Sequence, residues 1–165
     1  MSRRTVILGA LSGFAATLPM TATMSRLHLA LPSVERYPLP PRELAEDLPS
    51  LAVGTATATL VYHFLYGAAA GALFGGFSRR RDIPAGAAYG IAVWVASYLG
   101  WIPASRRLNA ATRHPARRNG LMLMAHLVWG GRADRWLAGT GTLASRELFS
   151  VDQHRKATEG STGGP

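Results

Sequence analysis

His63 and His126 lie inside two long apolar stretches, and each opens the same five-residue pattern. The first reads His63-Phe64-Leu65-Tyr66-Gly67 and the second His126-Leu127-Val128-Trp129-Gly130. An ionisable side chain at membrane depth is costly to insert and marks function by default. A neutral imidazole there offers a lone pair to a proton donor, a metal or a haem iron. Two rings in matching settings point to a paired site. The plainer alternative is that each ring bonds a threonine hydroxyl or a backbone carbonyl inside a packed core.

Residues four apart share a helix face. Around His63 that face reads Thr55, Thr59, His63, Gly67, Gly71 and Gly75, so the histidine sits on a glycine zipper that admits close backbone approach. Gly9, Gly13, Thr17 and Thr21 form a matching small face on the first stretch. Met122, His126, Gly130 and Asp134 share a face on the last. His63, His126, Thr59 and Thr17 are therefore the candidate buried polar site. Gly9, Gly13, Gly67, Gly71, Gly75, Gly86 and Gly90 are the candidate packing residues. No Ser-His-Asp set, phosphate loop or carboxylate pair falls at membrane depth, so no catalytic residue is assigned and no enzyme is expected. Zinc would want three or four ligands, which leaves the metal open. Haem between the two histidines is a second reading, with glycines leaving room for the ring.

The elements that must carry these residues are apolar spans. Thr5 to Met24 is 20 residues without a charge, about 30 Å of helix and the thickness of a bilayer core. Leu51 to Phe77 and Ile83 to Pro103 follow. A fourth span over 117–136 has an uncharged centre of only Asn119 to Gly131, with arginines at both ends that can snorkel. Pro19 is placed to kink the first span near Thr17, and a short helix is expected from Pro41 to Leu48. The fold class is an all-α integral membrane four-helix bundle, one domain over 1–150, with a polar disordered cytoplasmic tail at 151–165. The net charge of +9, taken alone, is what a nucleic-acid partner would call for. The arginines instead flank hydrophobic runs, so the expected partner is the lipid bilayer and not nucleic acid. Without cysteine there is no disulfide and no thiolate metal site.

Ser2-Arg3-Arg4-Thr5-Val6-Ile7-Leu8 resembles a twin-arginine export signal. A membranous chain needs a first helix for the others to pack on, so this stretch is expected to be retained. Arg3, Arg4 and the Arg79-Arg80-Arg81 cluster place both termini in the cytoplasm under the positive-inside rule. Ala104 to Arg118 then carries five arginines outside, opposite Glu35, Glu43, Glu46 and Asp47 of the first connector. These two loops should attract each other.

Gly9-Ala10-x-x-Gly13 matches Gly86-Ala87-x-x-Gly90, in the same order as the two histidine patterns. The chain therefore reads as two repeated helical hairpins related by an axis along the membrane normal. That would put His63 and His126 at similar depth.

Tyr37-Pro38-Leu39-Pro40-Pro41-Arg42 after the first span and His126-Leu127-Val128-Trp129 in the last resemble the YagU-like family of small bacterial inner-membrane proteins. The order of spans and the Gly-Ala-rich third helix are similar too. The long glycine-rich second span and the polar tail depart from that pattern. The resemblance implies a multi-pass bacterial cytoplasmic (inner) membrane protein of uncharacterised function, and no catalytic residues transfer from it. The functional expectation is proton or small-solute handling through the histidine pair. The alternatives are a bis-histidine haem or metal protein, and an assembly subunit whose glycine seams bind a second copy or another membrane protein.

Reporter fusions after Ser33 and after Asn109 should both report the outer side of the membrane. An inner signal from either would break the four-span topology.

Overall fold

The computed structural model describes residues 2–47, 54–78, 82–106 and 109–133. Among these every regular element is helical. Helix α1 spans Arg3–Leu29, α2 Pro40–Asp47, α3 Thr55–Phe77 and α4 Ile83–Ala104, and a further helix, α5, covers 116–133. Helices α1, α3 and α4 are long and apolar enough to cross a bilayer. Helix α5 carries Arg117, Arg118 and Arg132 within its length and is not among those three.

The boundaries follow local chemistry. Asp82 caps α4 by accepting the Ala85 amide at 2.8 Å, with proline in the first turn where no N–H is needed. Helix α1 runs five residues beyond the expected Met24, because nothing interrupts it until Leu31-Pro32. Pro19, the residue expected to bend it, lies within its length. The third span departs most from a plain helix. Its Ala96–Trp101 segment is a π-turn, and Gly100 has φ −107° and ψ −105°, outside the helical region. Pro103 supplies the reason: it has no N–H for the Leu99 carbonyl, so the hydrogen-bond ladder must shift. Helix α2 starts at Pro40, one residue before the expected position. Residues 134–136 of the expected fourth span, with Asp134, and the 151–165 tail lie outside the described residues, as do 51–53 at the start of the second span.

Helices α1 and α3 pack antiparallel on bare backbone. A methyl group added at Gly71 would fall on the Gly9 carbonyl oxygen and lie 2.7 Å from Gly13 Cα. One added at Gly13 would fall on the Gly67 carbonyl and lie 2.8 Å from Gly71 Cα. One at Gly75 would fall on the Thr5 carbonyl and lie 2.9 Å from Gly9 Cα. The same contact joins α4 to α5. A methyl at Gly90 would fall on the His126 carbonyl, and one at Gly130 would fall on the Gly86 carbonyl and lie 3.1 Å from the Gly90 nitrogen.

The two hairpins are joined by side chains that reach carbonyls and rings across the gap. Trp129 Nε1 donates to the Gly13 carbonyl at 3.0 Å, and the Tyr89 hydroxyl donates to the Ala70 carbonyl at 2.7 Å. Phe74, Tyr89 and Trp129 continue as a ring ladder, with centroids 4.8 and 6.0 Å apart. Ala16, Met20, Ala70, Met122 and Ala125 pack around these contacts. Ile7, Leu11, Phe14 and Leu18 form an exposed stripe along α1, which is the pattern of a lipid-facing side.

Gly71→Leu should lower thermal stability in detergent by about 1–3 kcal/mol or more, as expected for overpacking against an unyielding neighbour. Gly120, where an added methyl meets nothing within 4 Å, supplies the control. Gly120→Ala should unfold at or above the parent temperature, since alanine is the better helix former. A Gly71→Leu protein as stable as the parent would contradict the packed seam.

Candidate functional site

Both histidines line one cavity of about 400 Å³ between the hairpins. Helix α1 contributes Thr17 and Met20, α3 contributes Tyr62, His63 and Tyr66, and α4 contributes Val93, Ser97 and Tyr98. Met122, His126 and Trp129 close it from α5, and Pro40, Pro41 and Leu44 of α2 cover one end.

His126 is buried, with 7% of its surface exposed. Its Nδ1 lies 2.8 Å from the Met122 carbonyl, which can only accept, so Nδ1 carries the proton. In the neutral ring Nε2 is then an acceptor. His63 is only partly covered. Its Nδ1 lies 3.4 Å from Thr21 Oγ1, whose own proton goes to the Thr17 carbonyl at 2.8 Å. His63 is thus also the donor at Nδ1, in a long and weak bond, and its Nε2 is the acceptor.

The packing register places the two histidines at different positions on their seams. On the α1–α3 seam, Gly13 meets Gly67 and Gly71. On the α4–α5 seam, its counterpart Gly90 meets His126 and Gly130. The packing equivalent of His126 is therefore Gly67, and that of His63 is Met122. The expected equivalence of the histidines is off by four residues, one helical turn or about 6 Å along the axis. The two hairpins share a seam but not the histidine position on it.

Thr17 is fully buried, lines the cavity and donates to the Gly13 carbonyl at 2.8 Å. Thr59 does not join it: its hydroxyl turns back to the Thr55 carbonyl at 2.7 Å, and it is absent from the cavity wall. Gly9, Gly13, Gly67, Gly71 and Gly75 form the first seam, and Gly86 and Gly90 meet Gly130 in the second. Among the described residues no group of three or more His, Cys, Asp or Glu is placed to hold a metal ion.

The residue that sequence reasoning missed is Arg118. Its side chain has no exposed surface. Its guanidinium donates to the Tyr37 carbonyl at 2.9 Å and to the Pro38 carbonyl, and it lies 3.5 Å from the Glu43 carboxylate. Its central carbon stands 3.6 Å over the Tyr37 ring, a cation–π contact. The Tyr37 hydroxyl in turn bonds His114 Nδ1 at 2.7 Å. Burial, and then the Arg118 charge, hold the His114 pKa below its ordinary value. The first and third connectors are thus tied together at one end of the protein, and Arg118–Glu43 is an ion pair of the expected kind. The missed signal was helical phase. Arg118, Met122, His126 and Gly130 fall at four-residue spacing, so Arg118 shares the inward face of α5.

Comparison with known protein families, curated proteins and solved structures finds no match.

Replacing Arg118 by methionine should cost about 3 kcal/mol or more of stability, the range for removing one partner of a buried ionic network. Arg118→Lys should also destabilise, because an ammonium cannot serve two carbonyls in a fork while stacking on Tyr37. Thermal unfolding in detergent and faster amide exchange over 37–44 are the readouts. A lysine variant as stable as the parent would show that the fork is not needed.

Proposed function

We propose that this chain is a multi-pass protein of the bacterial cytoplasmic membrane that binds a small solute between its two hairpins, through His63 and His126, and catalyses no reaction. It crosses four times as a four-helix bundle, with α5 as the short fourth span and both termini inside. The 18 described residues of α5 reach about 27 Å, close to the bilayer core; Arg117 and Arg132 lie near the ends of that stretch, where they can snorkel, and the charge of Arg118 is answered by the first connector. Tyr37 and His114 meet at one end of the molecule, which agrees with two outer connectors. The resemblance to YagU-like proteins favours the same location and topology.

The observation that carries the reading is that histidines from both hairpins reach one cavity. Binding is favoured over conduction because the nearby hydroxyls are committed. Thr17, Thr21 and Ser97 all donate to carbonyls of their own helices, so they do not extend a proton chain along the axis. Beyond Gly67 the hairpin closes on the glycine seam. The assembly reading has less support, since the glycine faces are filled by one another within the chain. Bis-histidine ligation of haem or a metal is the second reading, favoured by the two unprotonated Nε2 atoms.

The test compares the parent with a His63→Phe/His126→Phe double variant, both purified in lipid nanodiscs. Organic extracts are examined by mass spectrometry, and the protein by metal analysis and visible absorption. The parent should retain a small molecule that the variant loses. Stoichiometric haem or metal in the parent alone would establish the second reading instead. A parent carrying nothing that the variant lacks would sink both.

A further inference from the structure

The composition of the cavity wall specifies a ligand class. No Asp, Glu, Lys or Arg lines it, although Arg118 lies close by. A charged ligand would be left there without a counter-ion in a low-dielectric setting, which is strongly unfavourable. Most of the wall is aliphatic or aromatic. The polar atoms that remain have a defined sense. Both histidines spend their Nδ1 protons on the protein, which leaves two Nε2 acceptors. The Tyr98 ring closes the wall beside Arg118, and its hydroxyl has no surface open to the cavity.

Three large residues of the cavity wall, Leu65, Tyr66 and Trp101, are between 40% and 57% exposed, and they lie on α3 and α4, so the wall is open between those two helices. Toward the connector end, α2 lies across the cavity, and Arg118 holds the chain immediately before α2 through the Tyr37 and Pro38 carbonyls.

We propose that the cavity takes an uncharged, lipid-soluble molecule bearing a hydroxyl group, an alcohol or a phenol, which enters from the bilayer between α3 and α4 and donates its hydroxyl proton to a histidine Nε2. This rests on the small-solute reading of the same site and narrows it. The apolar body fills the wall formed by α3 and α4. A volume of about 400 Å³ sits at the small end of ligand pockets, so the ligand is a compact molecule and not a whole phospholipid.

The probes are β-naphthol, its methyl ether and β-naphthoate, which share one apolar body and differ in the group offered to the histidines. Binding to the full chain in nanodiscs is followed by probe emission, with empty nanodiscs as the baseline. Saturable binding of β-naphthol about tenfold tighter than the ether is expected, the difference a single neutral hydrogen bond makes at its upper range. β-Naphthoate should bind more weakly still. In His126→Phe the preference for the naphthol over the ether should fall toward one, with the ether still bound. Leu65→Trp narrows the mouth at an exposed position that folding does not use, and it should slow naphthol association. Equal binding of naphthol and ether would overturn the hydroxyl class while leaving a solute cavity in place. Tighter binding of the naphthoate would overturn the exclusion of charge. Unchanged association in Leu65→Trp would overturn the lateral route. No saturable binding of any probe would remove this proposal together with the small-solute reading beneath it.

Discussion

The contact of α1 with α3 at the level of Gly9, Gly13, Gly67, Gly71 and Gly75 is the constraint on which the remaining geometry rests. Here two helices touch through main chain, because neither carries a Cβ at the crossing. In lipid there is no hydrophobic drive to bring apolar helices together, so association depends on close packing and on polar contacts between helices. Backbone contact supplies the first. It also fixes what lies one and two turns further along: Thr17 against Gly67, then Thr21 beside His63. A helix pair held further apart would leave His63 without that neighbour and open the cavity floor.

Close approach has a second consequence. It brings main-chain carbonyls of one hairpin within reach of side chains from the other. Gly13 accepts from its own Thr17 and from the Trp129 indole, and Ala70 accepts from Tyr89. These bonds link the hairpins within a shared apolar core, where an unpaired donor would be costly. Among the described residues, the buried polar side-chain atoms without a partner of good geometry belong to His28, Glu35, Trp94, Tyr98, Arg118 and Asn119. The Tyr98 ring is also part of the cavity wall.

Arg118 explains why a proline-rich connector can cover that end. A guanidinium removed from water needs its charge answered by dipoles and a counter-ion. Tyr37 and Pro38 carbonyls, the Tyr37 ring and the Glu43 carboxylate provide them from a single stretch of chain. The extended backbone around Pro38 exposes consecutive carbonyls that no helix has claimed. The buried charge and the stiff connector are therefore complementary: the first orders the second, and the second makes the first tolerable. Helix α2 begins two residues later and inherits its position over the cavity from this clamp.

The sequence by itself determined which stretches become apolar helices and which faces of α1 and α3 meet. Uncharged runs and glycines at four-residue spacing are local properties, and a missing side chain dictates close approach wherever it is used. It also marked the two histidines as inward-facing, of which His126 is buried and His63 partly covered. The register of one helix against another was decided only in three dimensions. A glycine at every fourth position looks the same after a slide of one turn, so Gly67-x-x-x-Gly71-x-x-x-Gly75 does not state which glycine faces Gly13. That degeneracy is why the histidine motifs align in sequence yet sit a turn apart in the packing, and why Thr59, on the correct face, falls beyond the cavity. The burial of Arg118 was decided in the same way. A charge at a helix end reads as a snorkelling arginine until the fold brings Tyr37, Pro38 and Glu43, some 80 residues earlier in the chain, around it.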